Sequence, residues 1–172
     1  VSTLDQLLRF ADLNFGLWVD CKGVSRRLPG EVIRVISESG RSGQLTLSSK
    51  SWWVFGRRRV ASDVRLIRSV GNRFELLLLR FLPSAVSVDG VVVHRRLLNA
   101  ERVAGLRRQF GLVFSWSIPD VETAQRLLSW GVDGLIIDDR AVLAAMALVQ
   151  TTVELAQSRR DRKREIQPDQ SQ

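Results

Sequence analysis

Along most of the chain the apolar positions switch between helical spacing and short unbroken runs, and that alternation is the pattern of βα units. The stretch from Trp130 to Asp139, WGVDGLIIDD, shows the run form. Leu135, Ile136 and Ile137 do not alternate with polar residues, so they predict a parallel strand covered on both faces. The earlier elements follow in order. STLDQLLRFAD predicts a helix capped by Ser2 or Thr3, and GLWVDCK a strand. PGEVIRVISESG predicts a helix with Pro29 near its start and Gly40 at its end, leading into the strand QLTLSS. Residues 51–71 predict a long, interrupted helical region, with RFELLLL at 73–79 as the next strand. SAVSVDGVVV predicts a short strand running into a loop. NAERVAGLRRQFG is a helix with Asn99 as cap and Gly111 as stop, and LVFSW is a strand. PDVETAQRLLSWG is a helix capped by Asp120, with Val121, Ala124, Leu127 and Leu128 as its buried stripe. VDGLIID closes six predicted strands, and the apolar helix AVLAAMALVQTTVELAQ follows.

Six parallel units fit an open sheet or most of a barrel, and periodicity does not choose between them. Length narrows the choice, because 172 residues are too few for a complete eight-unit barrel of about 200 to 250. We expect one α/β domain over residues 1–157 and a charged, disordered tail over 158–172. No stretch approaches the ~20 apolar residues of a membrane-spanning helix, so no transmembrane segment is expected. No export signal can be read, which leaves the compartment open with the cytoplasm as the default. One cysteine, Cys21, and one histidine, His94, exclude an intrachain disulfide and a zinc cage. The formal net charge of +8 raises nucleic acid as a partner. Its cations are spread along the chain, with dense runs only at Arg57-Arg58-Arg59 and in the tail, so no nucleic-acid partner is expected.

Two stretches carry a family resemblance. VFSWSIPDVETAQRLLSWGVDGLIIDD resembles the last segment of the glycerophosphodiester phosphodiesterase family, where a strand ending Trp-Thr-Val precedes a helix and a Gly-Val-Asp-Gly-Ile-Ile-Thr-Asp strand. STLDQLL and GLWVDCK are similar to that family's Pro-Thr-Leu-Glu-Glu-Val-Leu helix and Glu-x-Lys strand, with Asp20 and Lys22 in the places of the Glu and Lys. LTLSS is similar to its strand ending Ser-Phe. The resemblance covers most of residues 1–149. It implies a TIM-type (β/α) barrel of the phosphodiesterase superfamily, here six of eight units, the third through the eighth. It also implies hydrolysis of glycerophosphodiesters with a divalent cation, Ca2+ or Mg2+. The family's His-Arg-Gly motif, two further acidic ligands and a second His belong to the first two units, so missing N-terminal barrel units are expected as partners.

The residues fit that chemistry. A period of two sets Trp18, Asp20 and Lys22 on one face of their strand. A carboxylate can ligate a cation, and an ammonium two residues on can hold a phosphodiester oxygen. The resemblance thus implies Asp20 as metal ligand, Lys22 as catalytic cation, and Trp116 and Trp18 as substrate-binding walls. An ordinary ion pair at a strand end is the plainer reading of Asp20 and Lys22, and core packing that of Trp116. Asp20 is one methylene shorter than the family's Glu. Ile137 and Arg140 replace its Thr and Pro, and Asp138 is read as the cap of the last helix. His94 reads as a loop residue without a catalytic part, and Ser48 and Ser49 as strand-end polar groups or phosphate donors. Trp52 and Trp53 are read with at least one in the core. The departures at Asp20 and Ile137 motivate a second functional reading: a catalytically inactive barrel remnant binding phosphorylated head groups or a protein partner.

Overall fold

The structure is a computed structural model and describes residues 4, 16–23, 27–40, 45–51, 64–79 and 88–148. Six strands form one sheet: β1 (Leu17–Asp20), β2 (Leu45–Ser49), β3 (Arg65–Val70), β4 (Gly90–His94), β5 (Leu112–Trp116) and β6 (Gly134–Ile136). They lie in sequence order and every neighbouring pair is parallel. The helices between them are α1 (Leu28–Glu38), α2 (Arg73–Leu78), α3 (Ala100–Phe110) and α4 (Val121–Ser129). A one-turn 3-10 helix covers Arg95–Leu97, and α5 runs over 140–148.

The sheet is curled. Trp18 of β1 and Phe114 of β5 have three strands between them in the sheet order, yet their rings meet edge to face with centroids 5.0 Å apart. That contact defines a concave interior, and alternation along each strand assigns the faces. Trp18, Asp20, Ser48, Ile67, Gly90, Val92, His94, Phe114, Trp116 and Gly134 share the inner face by register. The opposite face is the larger apolar layer. There Val91, Val93 and Val113 pack with Val103 and Leu106 of α3 and with Ala124 and Leu127 of α4. Leu45, Leu47 and Leu66 pack with Val32, Ile33 and Ile36 of α1. Six parallel strands curled with helices outside are a TIM-type barrel open along one side, with β1 and β6 each paired on one edge only among the described residues.

The helix signals act as the sequence suggests. Asn99 Oδ1 accepts from the Arg102 N–H at 2.8 Å, and Asp120 Oδ1 from the Thr123 N–H at 2.6 Å. Gly111 and Gly131 terminate α3 and α4 with φ of 81° and 89°, where a Cβ would be strained. Leu128 departs from the predicted stripe and is exposed.

One region is the reverse of the prediction. Within the expected helix, residues 65–70 form β3, and the expected strand at 73–79 is the helix α2. Leu66, Ile67 and Val70 are all buried, and a strand covered on both faces lacks the alternation that separates it from a helix. The helix had a signal of its own. Asn72 and Glu75 form a capping box, with Asn72 Oδ1 accepting from the Glu75 N–H at 2.9 Å and Glu75 Oε2 from the Gly71 N–H at 2.5 Å. The predicted helix at 2–12 is described only at Leu4, and Arg57-Arg58-Arg59, Trp52, Trp53 and the tail at 158–172 lie outside the described residues.

Two Val-Asp-Gly sequences fix the strand starts in the same way. The Asp89 N–H donates to the Leu66 carbonyl at 2.9 Å while its carboxylate accepts from the Leu66 N–H at 2.8 Å. Asp133 repeats this on Val113, at 2.8 and 2.9 Å, and also takes Arg107 Nη2 at 2.6 Å. The glycines that follow face inward against neighbours that leave no room for a side chain. A Cβ on Gly90 would fall 2.6 Å from the Leu112 carbonyl oxygen, and one on Gly134 2.9 Å from the Phe114 ring.

Gly90→Ala is therefore expected to destabilise the chain by about 1–3 kcal/mol through overpacking. Gly105→Ala, at an open site inside α3, is expected to stabilise it by about 0.5–1 kcal/mol. Urea denaturation with unchanged m-values measures both, and a neutral Gly90→Ala would contradict the steric account.

Candidate functional site

Carboxyl ends of parallel strands in such a fold open onto one rim, where catalytic groups gather. The inner-face residues at that rim are Asp20 from β1, Ser48 from β2, His94 from β4 and Trp116 from β5. Asp20 lies two residues beyond Trp18, and Trp116 two beyond Phe114. Because Trp18 and Phe114 meet across the interior, Asp20 and Trp116 occupy the next level up.

On the β1 side, Ser48 links two of the predicted residues. Its hydroxyl accepts from Trp18 Nε1 at 2.9 Å and donates to Asp20 Oδ1 at 3.1 Å. Lys22, just past the strand, donates to Asp20 Oδ2. Both carboxylate oxygens of Asp20 thus have a partner. Side-chain exposures of 36% for Asp20 and 78% for Lys22 leave the pair in solvent, where it is worth about 0–1 kcal/mol. An ammonium so exposed is free to move toward a ligand. Trp18 is part of the interior filling, with its N–H spent on Ser48 and its ring on Phe114.

The two serines point to opposite faces. Ser49 is fully buried on the outer side and donates to the Cys21 carbonyl at 3.0 Å. Burial, with the charge of Asp20 second, pushes the Cys21 thiol up, so it is an inert core group.

On the other side of the rim, Trp116 and His94 pack edge to face with ring centroids 4.5 Å apart. His94 is the last residue of β4 rather than a loop residue. Its Nδ1 accepts from the Arg96 N–H at 3.2 Å, which places the proton of the neutral ring on Nε2. Desolvation first, then the charges of Arg96 and Arg95, hold the imidazole below its ordinary range. The indole N–H of Trp116 is buried and has no hydrogen-bond partner among the described residues. Ser117 follows with φ of 66°, the one described residue besides glycine in that region. A serine there costs about 1 kcal/mol or more, and such strain collects at ligand-binding rims. Nothing in the sequence marks it.

Asp138 is exposed beyond β6, and the cap of α5 is its neighbour: Asp139 Oδ1 accepts from the Ala141 N–H at 2.7 Å. Among the described residues no three His, Cys, Asp or Glu side chains converge. The donor set at Asp20 is a single carboxylate already bonded to Lys22 and Ser48, so the described residues do not by themselves fit a divalent cation. No helix among them is long and apolar enough to cross a membrane.

His94 is the sole histidine, so its Cε1 proton is a single resonance. It is expected to titrate below the ordinary value of about 6.5. The unfolded chain then takes up the proton first as pH falls. The His94 contribution to stability is complete above pH ~6.5 and declines as pH drops from there through the lower folded value. His94→Asn, which keeps an acceptor for the Arg96 N–H, should remove that decline; a midpoint at or above 6.5 would contradict the desolvated placement.

No family model and no curated protein matches the sequence. Solved structures do. A protein assigned as a glycerophosphoryl diester phosphodiesterase from Silicibacter pomeroyi aligns over 84% of this chain and 56% of its own, with TM-score 0.65 and 17% identity. One from Galdieria sulphuraria, assigned as a glycerophosphodiester phosphodiesterase, aligns over 83% and 62%, with TM-score 0.66 and 13% identity. A phosphodiesterase from Oleispira antarctica, solved in complex with the product sn-glycerol-3-phosphate, aligns over 70% and 50%, with TM-score 0.54 and 15% identity. The chain spans about half to three-fifths of these structures, and what it shares with them is the fold: six parallel strands of a TIM-type barrel with helices between them.

Proposed function

We propose that this chain belongs to the glycerophosphodiester phosphodiesterases. It supplies the third through eighth units of a barrel that hydrolyses glycerophosphodiesters to an alcohol and glycerol 3-phosphate. The observation that carries this reading is the placement of Asp20 and Lys22 together at the carboxyl end of β1, on the rim that Trp116 also reaches, in a barrel similar to those of phosphodiesterases. Lys22 is the cation that meets a non-bridging phosphate oxygen, and its 78% exposure leaves its ammonium able to do so. Trp116 forms the wall against the alcohol or glycerol part. Asp20 would be one ligand of a divalent cation, Ca2+ or Mg2+, whose remaining ligands the described residues do not supply.

One observation favours the inactive reading, in which the chain binds phosphorylated groups without turnover. Both Asp20 oxygens are engaged within the chain, and no second acidic group stands beside them among the described residues.

Hydrolysis of glycerophosphocholine and glycerophosphoethanolamine with Ca2+ or Mg2+ separates the two. The 172-residue chain alone is expected to show no turnover, and the same chain extended upstream by two βα units is expected to hydrolyse both. In the extended protein Lys22→Gln should lower kcat/KM at least about 100-fold, the scale of losing one electrostatic contact to the transition state. Turnover by the chain alone that survives Lys22→Gln would show that these residues are misassigned. An inert extended protein that still binds glycerol 3-phosphate would establish the remnant.

A further inference from the structure

The rim on the β2 to β5 side holds hydrogen-bond donors that the fold leaves unused. Gly71, just after β3, lies where they meet. A Cβ built there would fall 3.3 Å from Lys50 Nζ, 3.6 Å from Trp116 Cζ2 and 3.6 Å from Glu75 Oε2. The absent side chain leaves a notch. Cζ2 and Nε1 share one edge of the indole ring, so the edge turned to this notch is the one that bears the N–H. That N–H is buried and, among the described residues, unpartnered, a condition that native proteins relieve with a ligand or an ordered water.

Lys50 is the natural counterpart. It makes no hydrogen bond or ion pair among the described residues, and the nearby carboxylate is otherwise engaged. Glu75 Oε2 accepts from the Gly71 N–H at 2.5 Å, and its charge is felt by the buried guanidinium of Arg68. Beside the indole stands His94, whose Nδ1 takes the Arg96 N–H and whose Nε2–H is a third donor. Arg95 and Arg96 add positive charge on this side. An ammonium, an indole N–H and a neutral imidazole N–H beside Arg95 and Arg96 suit a group rich in acceptors, whose charge is set against the one carboxylate of the notch, Glu75.

We propose that Lys50 Nζ and Trp116 Nε1 form an anion-binding site beside Gly71, at the carboxyl end of β3, for a phosphate-type oxyanion. Its ligand is a phosphate dianion, free or carried as a phosphate monoester. The site stands on the geometry at Gly71 and does not depend on the proposed hydrolysis.

Inorganic phosphate added to the 172-residue chain tests it. In nitrogen–proton NMR spectra the Trp116 indole resonance, assigned by its loss in Trp116→Phe, should shift on titration. The single His94 resonance should move its midpoint upward by about 0.5 unit, as a nearby anion favours the imidazolium. Lys50 is exposed, so Lys50→Gln should fold normally; it should weaken the phosphate binding read at Trp116 at least tenfold, whereas Arg34→Gln, an exposed cation on α1, should leave it unchanged. Repeating the titration with glycerol 3-phosphate distinguishes the sources: equal affinity marks a site for free phosphate, and tenfold tighter binding one for a monoester. A Trp116 resonance indifferent to phosphate, or binding lost in Arg34→Gln and kept in Lys50→Gln, would overturn the assignment.

Discussion

Aromatic rings set against glycines hold the concave interior together, and the rim inherits its geometry from them. Trp18 and Phe114 touch across the sheet at 5.0 Å, and Phe114 lies where a Cβ on Gly134 would have to sit. Gly90 gives up its side chain so that Leu112 can approach. Parallel strands close into a curve only if the inner face holds less volume per strand than the outer, and alternating large rings with glycines meets that need. One level higher, Gly71 leaves space that Trp116 borders. The same device that packs the interior therefore leaves an indole edge and a lysine facing a gap.

The two ends of the sheet are treated differently. At the strand starts, Asp89 and Asp133 each bond both backbone groups of the neighbouring strand, and Arg107 closes the second clamp. Polar groups there are spent, as a structural end requires. At the strand ends, the Trp116 N–H has no partner among the described residues, Ser117 is held at positive φ, and Lys22 projects into solvent. Unspent donors and local strain are costs that a stable scaffold can carry, and they are grouped at the end where ligands bind in barrels of this kind.

How much of this was legible follows from the range of the interactions. Helix limits set by Asn99, Gly111, Asp120 and Gly131 depend on residues within a few positions, and the sequence displays them. The common face of Trp18 and Asp20 follows from a period of two, and Ser48, which bonds both, confirms it. Residues 65–78 failed because burial on both faces of β3 erases alternation, and four consecutive leucines outweighed the Asn72 and Glu75 capping pair. That one exchange hid Gly71, since its place in the rim exists only once β3 ends there. His94 was misplaced for a related reason: three valines and a histidine read as a strand entering a loop, while the register with Trp116 that keeps it in the strand is set by a different segment.

The position of β1 also explains why a metal centre does not emerge from these residues. β1 pairs with β2 on one edge only among the described residues, so Asp20 has Ser48 on one side and no strand residue on the other. A divalent cation needs several oxygen ligands around it, and a strand end supplies one or two. Among the described residues only Ser48 stands beside Asp20 at that level. The carboxylate pairs instead with Lys22, at little cost because the pair stays hydrated. By contrast Lys50 and Trp116 lie past or at the ends of β2 and β5, with β3 and β4 between them, and both border the space at Gly71.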